Sequence, residues 1–221
     1  MMKTLPLLAL LPVLAFAQGT APTFINVSLE APPFYENFAS LATGNLSGQN
    51  DWLAKAAGDT IVKILNGTGA YGNEPTWDEH FRVVLKTNVQ DLNANQFAVA
   101  VWADTGNATS NAIGVACRSD TAGTTFYSGV YTDGDQRLRL YRTIAGTGTQ
   151  FTFYQTAGIA IGDSIKLVVN NDTCYLYHNT NLRIQQYTTH ITSGVRAGVA
   201  VNGGSASAGQ SFSTWRAGNW P

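Results

Sequence analysis

The run Arg137-Leu138-Arg139-Leu140-Tyr141-Arg142 is the stretch of this chain best suited to holding a ligand. In an extended strand successive side chains point to opposite faces. Arg137, Arg139 and Tyr141 then share one face, and Leu138 and Leu140 share the other. Tyr127 and Tyr131 are co-facial on the run just before. If the two runs pair, tyrosines and arginines are expected on one surface, with Trp102 as a further ring. Aromatic rings stack on the apolar faces of sugars, and a guanidinium donates several hydrogen bonds in a fixed fork. The alternative for the same residues is an ordinary solvated face.

Two further groups bear on chemistry. Asp133-Gly134-Asp135 is like a fragment of a calcium loop. Calcium takes roughly six to eight oxygens, so the two aspartates need Asp104 or another loop beside them. The simpler reading is the Asp-Gly turn of a hairpin. The two cysteines are Cys117 and Cys174, each in a strand-like run with apolar neighbours two positions away. In an oxidising compartment one disulfide between them is expected. Two buried free thiols are the alternative. Two cysteines without a pair of histidines do not make a structural zinc site.

Strands have to position these residues. Ile165, Leu167 and Val169 alternate with Lys166, Val168 and Asn170, which is the period of a half-buried strand. Asn170, Asn171 and Asp172 then supply a tight turn, and the run Cys174 to His178 returns as the second arm of a hairpin. Phe81, Val83 and Leu85 alternate with Arg82, Val84 and Lys86, and the run Gln96 to Ala103 alternates likewise. A short polar connection joins these two runs, so a second hairpin is expected. Further strands are expected at Ile61 to Leu65, Ala112 to Arg118, Thr125 to Tyr131, Gln136 to Tyr141, Thr149 to Tyr154, Val195 to Val201 and Ser211 to Ala217. About a dozen short runs separated by Gly, Asn and Asp turns, with no helical period, read as an all-β sandwich or barrel.

The ends and the composition set the context. Lys3, the apolar run Leu5 to Leu14 and Ala15-Phe16-Ala17 have the order of a secretory signal peptide over residues 1–17, with cleavage before Gln18. The apolar run is far shorter than the ~20 residues that span a bilayer. Residues 18–33 form an N-terminal arm or linker closed by Pro32-Pro33, and residues 34–221 form the domain. Of 221 residues, 13 are Lys or Arg and 14 are Asp or Glu, a balance that steers the chain toward neither nucleic acid nor an anionic membrane. Sequons lie at Asn26, Asn45, Asn66, Asn107 and Asn171.

Three stretches carry a family resemblance. They are PFYENFASLATGNLSGQNDWLAKAAGDTIVKI from Pro33, the hairpin GDSIKLVVNNDTCYLYHN from Gly162, and the tail SGVRAGVAVNGGSASAGQSFSTWRAGNW. A Phe-containing strand, an Asn/Gly-rich loop and then Trp52, with the later hairpin and Gly/Ser-rich last strands, resembles the concanavalin A-like (laminin-G-like) jelly rolls. The resemblance spans Pro33 to Trp220. It implies a single-domain antiparallel β-sandwich, with Trp52 as a core or rim aromatic. It also implies a sandwich rim able to take calcium.

Enzymes of this superfamily supply motifs to look for. Its glucanases carry Glu-x-Asp-x-x-Glu on one strand, where period two lets two carboxylates flank a glycosidic bond. Glu74-Pro-Thr-Trp-Asp78-Glu79 has the wrong spacing, and Pro75 disfavours a central strand. Its alginate-lyase-like members use Arg-x-Glu-x-Arg and Gln-x-His; here no Glu lies between Arg137 and Arg139, and no Gln-x-His occurs. His80, His178 and His190 are scattered, and there is no Gly-x-Ser-x-Gly elbow. No catalytic residue is assigned.

The sequence thus leads to an exported, non-catalytic sandwich that binds a polysaccharide, a glycan or another cell-surface ligand. A second reading is a structural subunit that self-assembles by adding its arm, Gln18 to Pro33, to a neighbour's sheet edge. A third is a polysaccharide hydrolase or lyase.

Overall fold

The computed structural model describes residues 34–55, 62–65, 69–72, 82–86, 92–105, 112–202 and 210–221. The segments expected as a signal peptide and an arm, residues 1–17 and 18–33, together with Glu74 to Glu79, His80 and the sequons at Asn26, Asn66 and Asn107, lie outside the described residues.

The described elements are almost all strands. They are β1 (Phe34–Asn37), β2 (Gly44–Asn45), β3 (Trp52–Lys55), β4 (Val62–Leu65), β5 (Gly69–Gly72), β6 (Arg82–Lys86), β7 (Gln96–Asp104) and β8 (Ala112–Ser119). There follow β9 (Phe126–Thr132), β10 (Arg137–Ile144), β11 (Thr147–Gln155), β12 (Ser164–Asn170), β13 (Thr173–His178), β14 (Asn181–Tyr187), β15 (Arg196–Asn202) and β16 (Ser211–Asn219). One 3-10 turn, Phe38–Ser40, follows β1, and the Asn37 side chain accepts from the Ala39 N–H at its start.

These strands form two antiparallel sheets packed face to face as a jelly-roll sandwich. The nine-stranded sheet runs β14-β13-β12-β7-β16-β5-β4-β2, with β1 also on β16. β1 and β5 lie end to end along one edge of β16, opposite Thr214 to Ala217 and Ser211 to Phe212. The seven-stranded sheet runs β11-β10-β9-β8-β15-β6-β3. The hairpin read from Gly162 to Asn179 is β12–β13, with Asn171 at φ 50° in its turn, the left-handed region that Asn tolerates.

The second expected hairpin does not form. β6 lies between β15 and β3 in the seven-stranded sheet, while β7 lies between β12 and β16 in the other. Both edges of each run are taken by other strands. Their inner side chains, Val84 from β6 and Ala98, Ala100 and Trp102 from β7, enter one core from opposite layers.

That core holds Phe38, Trp52, Trp215, Ile165, Leu167, Leu176, Leu138 and Leu140 between the sheets. Trp52 stacks edge-on against Trp215, with centroids 4.8 Å apart. Gly129 of β9 lets the layers close up: a Cβ there would sit 2.3 Å from a methyl of Leu176 on the facing sheet. The seven-stranded sheet is also buried on its outer side over its middle. Val83, Leu85, Ala112, Ala116, Phe126, Val130, Tyr141 and Ala200 make a second cluster there. This is why β8 and β9 show burial at every position.

Both cysteines are free and buried, so the expected disulfide gives way to the alternative. The Cys117 thiol donates to the Leu167 carbonyl across the core. Burial pushes its pKa well up, and nearby Cys174 adds to that. Burial lifts Cys174 to about 12. Neither thiol is the thiolate that exchange chemistry requires.

Two polar struts cross the interior. Arg118, 2% exposed, donates to the carbonyls of Ala94 and Ile191 at 2.7 Å and of Asn171 at 2.6 Å. It thereby ties together the approach to β7, the β12–β13 turn and the approach to β15. At the other end Glu36 accepts from Lys86 Nζ at 2.8 Å, Asn50 Nδ2 at 2.7 Å and Trp52 Nε1 at 3.0 Å. Lys86 also donates to the Asn50 carbonyl. Glu36 belongs to one sheet and Lys86 to the other, and both are nearly excluded from solvent.

Removing one partner of a buried pair leaves an uncompensated charge. Lys86→Met is therefore expected to lower unfolding stability by about 3–5 kcal/mol, while Glu36→Leu/Lys86→Met together recovers most of the loss. Urea denaturation of both variants measures this, and a near-neutral single variant contradicts the strut.

Asp163 organises the start of the β12–β13 hairpin. Its carboxylate meets His178 Nε2 at 2.8 Å, Asn179 Nδ2 at 2.8 Å and the Ala160 N–H at 2.9 Å. Burial alone would raise its pKa, but the Asn179, Ala160 and His178 contacts together lower it. A carboxyl held below its unfolded value of ~3.9 stabilises the fold fully above that value and loses the effect as pH falls through the folded value. Asp163→Asn is expected to flatten the loss of stability below about pH 4. Thermal midpoints of both proteins between pH 5 and 2 provide the check, and parallel curves would count against the linkage.

Candidate functional site

β10 faces the core with Leu138 and Leu140, so Arg137, Arg139 and Tyr141 point to the outer side of the seven-stranded sheet. β9 pairs with β10 as expected, with Leu138 opposite Tyr131 and Arg139 opposite Val130. The phase of β9, however, sends Tyr127 and Tyr131 inward with the leucines. The tyrosines and the arginines therefore sit on opposite faces, and the shared surface expected from their spacing does not form.

Tyr127, Tyr131 and Trp102 are core residues, each at most 1% exposed. Trp102 packs edge-on against Tyr131 and Phe212. The Tyr127 hydroxyl lies 3.0 Å from Thr188 Oγ1 and accepts from the Ile191 N–H at 2.9 Å. Tyr131 reaches the rim with its hydroxyl alone, 3.5 Å from Asp133. Burial, with Asp133 beside it, lifts that phenol to about 12.

The outer cluster is built around Asp135. Its carboxylate binds Arg139, lies 3.3 Å from an Arg137 nitrogen, and accepts from Thr132 Oγ1 at 2.6 Å. Arg139 also donates to Thr132 Oγ1 at 3.1 Å and to Gln150. The Tyr141 hydroxyl donates to Gln150 Oε1 at 3.2 Å. Arg137 donates to Gln155 Oε1 at 3.1 Å, and its guanidinium carbon lies over the Phe153 ring, 4.2 Å from its centroid. Burial raises the Tyr141 pKa against the lowering effect of Arg139, so this phenol stays a neutral donor at neutral pH.

The position of this cluster leaves it partly open. β11 is the edge strand of its sheet, and Phe153 is 45% exposed while Tyr141 is 9% exposed. The site thus grades from a nearly buried phenol, through two half-buried guanidiniums, to an open ring. Beside it, the hydroxyls of Ser128 and Thr143 are buried without a hydrogen-bond partner. Ser128 lies opposite Tyr141 in the ladder, and Thr143 is two residues on along β10. Unpaired buried hydroxyls are uncommon in folded proteins, and both fall on the outer face next to this cluster.

The aspartates expected as metal ligands have different roles. Asp135 serves as the counter-ion of two arginines. Asp133 turns the β9–β10 loop, its carbonyl accepting the Gln136 N–H at 3.1 Å. Among the described residues no group of three or more His, Cys, Asp or Glu side chains converges.

Gln150, Phe153 and Gln155 belong to the site and were not singled out from the sequence. The ladder between β10 and β11 shifts register at Leu140/Tyr141, so strict alternation along β11 does not reveal which side chains join Arg139. The Gln-x-x-Phe-x-Gln spacing across a bulge was the available signal.

No protein-family model and no curated protein matches this sequence. Solved structures do match. The GH43 BlXynB protein from Bacillus licheniformis aligns with a TM-score of 0.58 at 14% identity, over 84% of this chain and 39% of that one. The chain therefore spans well under half of that protein. The Emp46p carbohydrate recognition domain, metal-free form, aligns with a TM-score of 0.57 at 9% identity, over 83% and 94% of the two chains. The Emp47p carbohydrate recognition domain gives 0.54 at 10%, over 81% and 95%. With two antiparallel sheets in this strand order, the likeness establishes the fold as a jelly-roll β-sandwich.

Proposed function

We propose that this protein binds carbohydrate on the outer rim of its seven-stranded sheet, through Arg137, Arg139, Tyr141, Gln150, Phe153 and Gln155. The observation that carries the reading is the grouping of two guanidiniums, a phenol and two amides around a half-open ring. A sugar offers many hydroxyls and one apolar face. The guanidinium N–H groups donate, the Gln155 amide oxygen accepts, Tyr141 and Gln150 hold Arg139 in place, and Phe153 supplies the surface for the apolar face. The Asp135 carboxylate holds the guanidiniums in place before ligand arrives, which reduces the ordering cost of binding. The Emp46p and Emp47p domains, described as carbohydrate recognition domains, share the fold. That makes a sugar the first ligand class to test.

Affinity electrophoresis against a panel of neutral polysaccharides tests the reading. Retention on at least one is expected. Arg139→Ala and Phe153→Ala should each weaken that retention about tenfold or more, the range seen when a buried or central contact is truncated, with circular dichroism unchanged. Retention on no polysaccharide, or retention indifferent to both substitutions, overturns the assignment.

The same reading takes the protein outside the cell. The exported chain is expected to begin at Gln18, and N-terminal sequencing decides it. An exported chain that still carries Met1 to Ala17 contradicts this.

A further inference from the structure

The outer face of the nine-stranded sheet carries a second cluster, remote in the fold from the first. One rung crosses five strands there. Tyr177 on β13 lies opposite Lys166 on β12, Lys166 opposite Val99 on β7, Val99 opposite Arg216 on β16, and Arg216 opposite Tyr35 on β1. Their neighbours Leu167, Leu176, Ala98, Trp215 and Ala217 are core residues, so the rung faces outward. Its order is ring, cation, valine, cation, ring.

The rings and cations of this rung are arranged together. Lys166 Nζ lies 4.4 Å from the centroid of Tyr177 and 5.5 Å from that of Trp220. Trp220 in turn packs edge-on against Phe97, the outward residue one position pair along β7. Tyr35 is 58% exposed and Arg216 is exposed. At about 4.8 Å per strand step, the two cations stand roughly 10 Å apart and the rung extends roughly 19 Å.

Among the described residues of these strands, the charge on this face is of one sign. On these five strands, among the described residues, the carboxylates are Glu36, which is turned inward to Lys86, and Asp104 at the far end of β7. Lys166 has its pKa lowered by burial and then by Arg216, so the two cations are close enough to repel. Two like charges without a facing acid, flanked by rings, favour an anionic partner.

We propose that this face is a second binding site, and that its ligand is an acidic polysaccharide bearing carboxylates or sulfates at intervals along the chain. A peptide adding to the sheet needs a free strand edge. From Tyr177 on β13 to Arg216 on β16 this rung instead crosses strands that are paired on both sides, and β1 alone has a single partner strand among the described residues, so the ligand is read mainly by side chains. Two cations flanked on either side by rings suit a linear acidic sugar chain crossing the strands. Exposed charges also make the binding sensitive to salt.

The test uses the full chain on surfaces of polygalacturonate, of chondroitin sulfate and of polygalacturonate reduced to its neutral form. Retention is expected on one or both acidic surfaces, falling as salt rises, and absent from the reduced one. Lys166→Ala/Arg216→Glu should reduce it tenfold or more, and Tyr177→Ala should weaken it. Arg216→Glu alone, at an exposed position, gives the same direction if the double variant does not fold. Arg139→Ala should leave this retention intact, which separates it from the first site. No retention on either acidic surface, equal retention on the reduced one, or a response to Arg139→Ala but not Arg216→Glu overturns the proposal. Equal retention on polyglutamate also overturns it, in favour of an acidic protein partner.

Discussion

Burying Leu138 and Leu140 between the sheets removes apolar surface worth about 1.5–3 kcal/mol for each side chain, and this fixes the direction in which β10 faces. Turning the strand over would send both leucines to the outer side and drive Arg137 and Arg139 into a layer already filled by Leu167 and Leu176. The position of the guanidiniums on the rim thus follows from the hydrophobic effect acting on their neighbours. Asp135, at the turn that starts β10, then supplies the one local carboxylate that both arginines can share. The same constraint works on the opposite layer. Leu167 and Leu176 point in, so Lys166 and Tyr177 must point out.

The interior uses polar groups sparingly and places each where it ties separate parts of the chain. Arg118 satisfies three carbonyls from segments far apart in sequence. Glu36 and Lys86 fasten one sheet to the other beside Trp52. Such groups contribute specificity of arrangement as much as stability, because each has one geometry in which all its hydrogen bonds are met. The buried thiols of Cys117 and Cys174 pack as small apolar groups in the same interior, and the sandwich closes without a covalent link between them.

Much of the fold was legible because period two is a local property. The β12–β13 hairpin and the strands near the C-terminus follow from alternation and turn residues, while Trp52, a core or rim aromatic by the family resemblance, proves to be core. What alternation does not encode is the partner of a strand. β6 and β7 looked like neighbours because they are consecutive, yet their edges are taken by strands distant in sequence. Nor does alternation say which of two apolar faces is inner. Val83 and Leu85 cover the outer side of their sheet, while Val84 alone enters the main core. The site was half legible for the same reason. Arg137, Arg139 and Tyr141 were co-facial as read, but the phase of β9 depends on packing against Leu176 and took Tyr127 and Tyr131 inward. Gln150, Phe153 and Gln155 were hidden by a bulge.

The two decorated faces differ in electrostatics. On the seven-stranded sheet, arginines are neutralised locally by Asp135, and the surface presents directed hydrogen bonds. On the nine-stranded sheet, the cations stand without a facing acid among the described residues. The most direct measurement of the central claim is an NMR titration with a retained neutral oligosaccharide, following arginine Nε–H and side-chain amide signals. The account predicts shifts at Arg137, Arg139, Gln150 and Gln155, with Arg118 and Arg216 unmoved. Shifts confined to other residues, with the Arg139 and Gln150 signals unchanged at saturation, would contradict it.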